Sequence, residues 1–230
     1  GILNAMDANI TVMPLADGGE GTTDSLIEGL GGQKVTGTVT NPIGKPIQAY
    51  YGYLKESQTA IIEIASCAGI TLITAEQKNP MTVTTFGVGE MIKDAISKGC
   101  RNFIIGLGGS VTNDGGVGML QALGYEFYDE LGKEVGHGGQ ALSKIKSISD
   151  QNRMSELSEC SFRAACDVNN PLCGAEGATY IYGPQKGVTE ELKPLLDSDM
   201  KHYANITKEF ISVDHSLAPG AGAAGGLGFA

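Results

Sequence analysis

The chain has no tryptophan and no apolar run approaching the ~20 residues that a membrane-spanning helix needs. No basic stretch followed by an apolar one opens it, so no secretory leader is expected. Positive charge is scarce: 16 Lys and Arg stand against 26 Asp and Glu, for a net charge of −10. With no basic cluster to neutralise phosphates in a row, duplex nucleic acid is excluded as a partner, and so is a membrane surface. Cysteines number five and form no CxxC pair, which fits reduced thiols in the cytoplasm better than disulfides or a zinc site. The three histidines (His137, His202 and His215) lie in polar stretches far from Ser66 and Cys67, so a Ser–His or Cys–His nucleophile has no support. No Gly-Lys-Ser/Thr follows any glycine loop, which removes the Walker type of phosphate loop.

What the chain has in excess is glycine, 34 in 230 residues, about twice the usual ~7% share. The glycines gather in loops and not in a repeat. Hydrophobic residues make up 41% and mean hydropathy is −0.03, enough apolar material to fill the core of one large or two modest domains.

The densest signal lies between residues 101 and 124. Phe103 to Leu107 is an apolar run of buried-strand length, and Val117, Met119, Leu120 and Leu123 suit one face of a helix. Between them stand Gly108, Gly109, Ser110, Thr112, Asn113, Asp114, Gly115 and Gly116. A strand, a glycine turn and a helix start form a cradle for an anion, because glycine lets backbone approach a ligand and the first helical N–H groups are free. The same pattern also serves as a tight connection with no ligand. Asp114, the loop's only charge, reads as a metal ligand, a base or a helix cap. A dinucleotide fingerprint fails, since Val111 stands where its third glycine belongs.

Elsewhere the pattern alternates between strand and helix. Ile10 to Pro14 reads as a strand that runs into a loop carrying Asp17 and Glu20, then a helix through Leu26, Ile27 and Leu30 stopped by Gly31. Val35–Val39 and Ile47–Tyr53 flank turn chemistry and read as a hairpin, followed by a strand at Thr59–Ile64 in which Glu63 is expected to face solvent on an edge, the alternative being that it points at a ligand. Ala65–Leu72 reads as a small-residue loop and Phe86–Lys98 as a helix. Ser161–Asp167 is a strand ending on an acid. Thr189–Ile211 is helical as one piece or two. Asp17, Asp114 and Asp167 thus share an address at or just beyond strand ends, where they can bind Mg²⁺ or serve as turn formers. Lys186, in a glycine-flanked loop, is a candidate to offset phosphate charge. Gly220, Gly222 and Gly225 match a nucleotide fingerprint by letter, but no strand precedes them.

Taken together, several motifs resemble the class I glycerate kinases: Pro14-Leu-Ala-Asp-Gly-Gly-Glu-Gly-Thr22, Asn79-Pro-Met-Thr82, Gly106-Leu-Gly-Gly-Ser-Val-Thr-Asn-Asp-Gly-Gly116, Ala165-Cys-Asp-Val-Asn-Asn-Pro-Leu-Cys-Gly174, Gly183-Pro-Gln-Lys-Gly187 and the run from Pro219 to Ala230. They occur in the family's order across almost the whole chain. The resemblance implies an α/β fold of two α/β domains, one Rossmann-like and discontinuous (residues 1–32 and 218–230) and one inserted and mixed (33–217). It implies ATP-dependent, in-line phosphorylation of D-glycerate with Mg²⁺ and hence small-molecule substrates; the cysteines point to a cytoplasmic enzyme, and the sequence leaves the oligomeric state open, with a homodimer as one candidate. Asp114, Asp167 and Lys186 are the expected catalytic residues, with Asp114 and Asp167 on the metal. Asp17, Gly108, Gly109, Ser110, Thr112, Asn113 and Gly115 are expected to bind substrate or phosphate. The family's opening strand and closing segment have no counterpart in this sequence, which starts at Gly1 and stops at Ala230, so it is expected to be a piece of a longer protein. A non-catalytic anion- or nucleotide-binding module and a nicotinamide-dependent oxidoreductase are the alternatives.

Overall fold

The computed structural model describes residues 18–230, so Asp17 and the strand expected at Ile10–Pro14 lie outside the described residues. The chain forms strands β1 (Gln33–Thr40), β2 (Pro46–Leu54), β3 (Thr59–Glu63), β4 (Asn102–Gly106), β5 (Glu126–Tyr128), β6 (Ser147–Ser149) and β7 (Ser161–Ala165). The helices are α1 (Thr22–Leu30), α2 (Ala65–Ala68), α3 (Phe86–Ser97), α4 (Val117–Ala122), α5 (Ala178–Tyr182) and α6 (Leu192–Ile211). Five strands build one sheet in the order β1-β2-β3-β4-β7, and β5 and β6 form a separate pair. β2 pairs antiparallel with β1, as the turn chemistry at Asn41–Pro46 predicts, and antiparallel with β3. β3, β4 and β7 run parallel. Their register places Glu63 opposite Gly106 and Gly106 opposite Ala165, so three strands end on one level.

The α3 stripe of Val88, Met91, Ile92, Ala95 and Ile96 follows helical spacing and packs on Ile62, Phe103 and Ile105 of the sheet. Each large apolar side chain buried there contributes ~1.5–3 kcal/mol. A second cluster forms where Met200, Tyr203 and Ala204 of α6 meet Phe127, Leu142 and Leu172. Ala223, Ala224 and Leu227 share the first cluster with Val39 and Ile62. Ile27 of α1 lies beside Gly52 of β2, where a Cβ would fall 2.9 Å from its Cγ1. Ala65–Ala68, expected as loop, closes into a short helix because its small side chains let the chain turn back tightly, with the Ala68 N–H 2.6 Å from the Ile64 carbonyl.

Candidate active site

The glycine loop after β4 is tied on both flanks by backbone bonds. Leu107 N–H donates to the Ala165 carbonyl at 3.1 Å and Gly108 N–H to the Gly18 carbonyl at 2.9 Å. On the other side Ile70 N–H donates to the Gly109 carbonyl and Val111 N–H to the Ala68 carbonyl, both at 2.9 Å. The approach of the Gly18–Gly19 turn requires glycine at 108, where a Cβ would lie 2.6 Å from the Gly19 Cα. Deeper in the loop, Gly115 N–H donates to the Gly225 carbonyl at 3.0 Å, which brings the Ala223–Gly226 turn beneath it.

A cavity of ≈ 210 Å³ opens over this loop, lined by Gly108, Gly109, Ser110, Cys166, Asp167 and Lys186 among others. Lys186 reaches its floor from the turn after α5. Its Nζ donates to Ser110 Oγ and to the Thr112 carbonyl, each at 2.7 Å, and the residue is only 2% exposed. Burial disfavours its charge and lowers its pKa to about 7, against the opposing pull of the Asp114 carboxylate. Asp167 stands exposed just past the end of β7. Thus Gly108, Gly109, Ser110, Asp167 and Lys186 converge on one cavity.

The other expected residues lie beneath it. Asp114 is fully buried, and its Oδ2 accepts from Thr85 N–H at 2.8 Å and from Thr85 Oγ1 at 2.9 Å. Its Oδ1 accepts from Gly116 N–H at 3.3 Å. Burial raises its pKa while these bonds oppose the rise. Asp114 therefore caps the starts of α3 and α4, two helices whose own cap residues make no side-chain cap bond. Both oxygens are engaged by these helix starts, and Asp114 is not among the residues that line the cavity. Asn113 Nδ2 donates to Thr179 Oγ1 at 3.1 Å, while Asn113 Oδ1 and Thr112 Oγ1 are buried without partners. Gly115 faces α6, where a Cβ would sit 2.8 Å from the Tyr203 ring. Among the described residues no group of three or more His, Cys, Asp or Glu is placed to hold a metal ion.

Sequence reasoning missed Cys166, Tyr182 and Gln185 as cavity-lining residues. Cys166 and Gln185 adjoin Asp167 and Lys186, so adjacency was the available signal. Glu63, expected to face solvent, is 6% exposed and accepts backbone N–H groups from the start of α1.

Compared with known proteins, residues 1–230 match the sequence profile of the Glycerate kinase family from end to end. The chain belongs to the glycerate kinase family. It is 43% identical over 222 residues to the glycerate kinase of Bacillus subtilis (strain 168), covering 96% of this chain and 58% of that protein. It is 44% identical over 224 residues to the glycerate 2-kinase of Escherichia coli (strain K12), covering 97% of this chain and 59% of that protein. A crystal structure assigned to glycerate kinase 2 of Salmonella typhimurium LT2 superposes with a TM-score of 0.91 at 42% identity, over 94% of this chain and 58% of the other. The chain thus spans under two thirds of the length of these family members. Among the described residues no helix is long and apolar enough to cross a membrane.

Proposed function

We propose that this chain carries the phosphoryl-transfer site of an enzyme that phosphorylates D-glycerate to phosphoglycerate at the expense of ATP. The observation that carries the reading is the buried Lys186 ammonium. It is bonded to Ser110 and lines the same cavity as the exposed residue Asp167. At ≈ 210 Å³ the cavity is smaller than the ~300–1,000 Å³ of typical ligand pockets, which suits glycerate and the group being transferred better than a whole nucleotide.

In-line phosphoryl transfer needs position and charge neutralisation more than covalent help. Lys186 Nζ spends two donors on Ser110 Oγ and the Thr112 carbonyl, and its third N–H remains for a phosphate oxygen. Since the ammonium donates to Ser110 Oγ, the Ser110 proton is free to turn to another acceptor. Gly108 and Gly109 let the phosphate come close to backbone. Asp167 accepts the proton of the attacking hydroxyl or anchors Mg²⁺. The ion suits this donor set, because Mg²⁺ is held by one or two carboxylates and completes its shell with water and phosphate oxygens. When bound it would neutralise phosphate charge. Five free cysteines support a cytoplasmic setting.

A coupled ADP-release assay with D-glycerate, Mg²⁺ and ATP tests the reading. Glycerate-dependent release that vanishes in Lys186→Met supports it. ATP binding with no such release would favour the non-catalytic module instead.

A further inference from the structure

We propose that Glu63 is a positioning residue for phosphoryl transfer: its carboxylate clamps the Gly18–Thr23 turn over the parallel strand ends and thereby fixes the wall of the cavity. The inference rests on the kinase reading above.

Glu63 is the last residue of β3, on the level of Gly106 and Ala165. Helix α1 starts behind Gly21, which has φ 91° and no side chain to offer as a cap. Thr22 N–H donates locally to the Gly19 carbonyl at 3.2 Å, but Gly21 has no side chain to accept from the N–H groups on either side of it. Glu63 supplies an acceptor from forty residues away. Its Oε2 accepts from Gly21 N–H at 3.2 Å and its Oε1 from Thr23 N–H. From there the connection runs into the site. Thr22 Oγ1 accepts from Gly18 N–H at 3.1 Å, the Gly18 carbonyl accepts from Gly108 N–H at 2.9 Å, and Gly108 lines the cavity. The contact is close along its length, since a Cβ on Gly18 would stand 2.3 Å from the Ala165 carbonyl oxygen. Displacing the carboxylate frees the turn and with it the Gly108 end of the glycine loop.

The clamp also decides what the turn does not do. A helix start behind a glycine run would ordinarily invite an anion. Here a carboxylate already occupies it, so the α1 terminus holds no phosphate, and phosphate is left to the Lys186 side of the site.

The test uses the full-length protein and the variant Glu63→Gln. The amide has the same shape but one acceptor fewer, and it turns an NH₂ toward a backbone donor. Amide exchange at Gly21 and Thr23 should quicken by roughly tenfold or more. The kcat for D-glycerate, per folded molecule, should fall by about tenfold or more with the thermal midpoint little changed. A variant with unaltered kcat would show a purely structural role and overturn the proposal. Should Glu63→Gln fail to fold, exchange in the wild type still decides: unprotected Gly21 and Thr23 amides would overturn the clamp, and protection matching the β3–β4 ladder would support it. Wild-type protein without glycerate-dependent turnover would instead overturn the kinase reading and the catalytic half of this inference together, while exchange judges the clamp separately.

Discussion

Replacing Lys186 by methionine separates the chemistry of the ammonium from its cost to the fold. In the folded chain burial holds the group near pKa about 7, whereas its ordinary value is 10.5. The unfolded chain therefore binds more protons between those values, and stability rises with pH across that window. At about pH 7 the penalty for burying the charge is ~4 kcal/mol, and by about pH 9 it has fallen to ~2 kcal/mol, at about 1.4 kcal/mol for each decade. Methionine keeps the length of the stem and removes this penalty. It also leaves the Thr112 carbonyl without the donor it has at 2.7 Å, a loss of ~1–3 kcal/mol. The relieved penalty exceeds the loss by ~1–3 kcal/mol, so Lys186→Met should unfold at or several degrees above the wild-type midpoint at neutral pH while glycerate-dependent turnover drops by ~100-fold or more. Thermal midpoints of both proteins, followed by circular dichroism from about pH 7 to 9, provide the sharper check. Wild type should gain ~2 kcal/mol relative to the variant over that range, and taking the difference cancels the thiols whose pKa values burial pushes up. Parallel pH curves would show that the lysine is not buried as a strained cation, and the reasoning would fail. Retained turnover would remove the ammonium from the catalytic set.

Asp167→Asn should lower kcat by ~100-fold or more at unchanged thermal midpoint, because the carboxylate is exposed and makes no capping bond that the fold requires. Asp114→Asn should do the reverse, costing ~2–3 kcal/mol in urea unfolding by turning an amide donor toward Thr85 or Gly116 N–H, with turnover per folded molecule largely kept. Gly225→Ala puts a Cβ 2.0 Å from the Thr112 carbonyl oxygen at a residue with φ 70°, so loss of more than ~2 kcal/mol, or of soluble folded protein, is expected on expression and melting.

Much of the frame was legible because local chemistry dictates it. The turn at Asn41–Pro46 fixes a hairpin whatever lies around it, and the α3 stripe can bury its apolar face only as a helix. The strand, glycine turn and helix from Asn102 to Ala122 likewise follow from an apolar run, a glycine cluster and a second apolar face. The roles of the acids were less legible, because they depend on which backbone groups arrive from elsewhere. Asp114 meets Thr85 across 29 residues of sequence and Glu63 meets Thr23 across 40. Nothing near either acid announces a distant helix lacking a cap. Lys186 shows the same limit: a lysine between glycines gives no sign that its ammonium is buried against Ser110.

The capping carboxylates have a consequence for how charged substrates arrive. Glu63 and Asp114 cancel the positive ends of α1, α3 and α4 inside the fold, so those helix dipoles add little to the potential outside it. The attractive field at the cavity then comes chiefly from one partly protonated lysine, set within a chain of net charge −10. Anions approaching such a surface meet long-range repulsion before they meet short-range attraction. Moderate salt, with a screening length of about 10 Å at 0.1 M, shields the first more than the second, so on the proposed function anion capture should quicken with ionic strength.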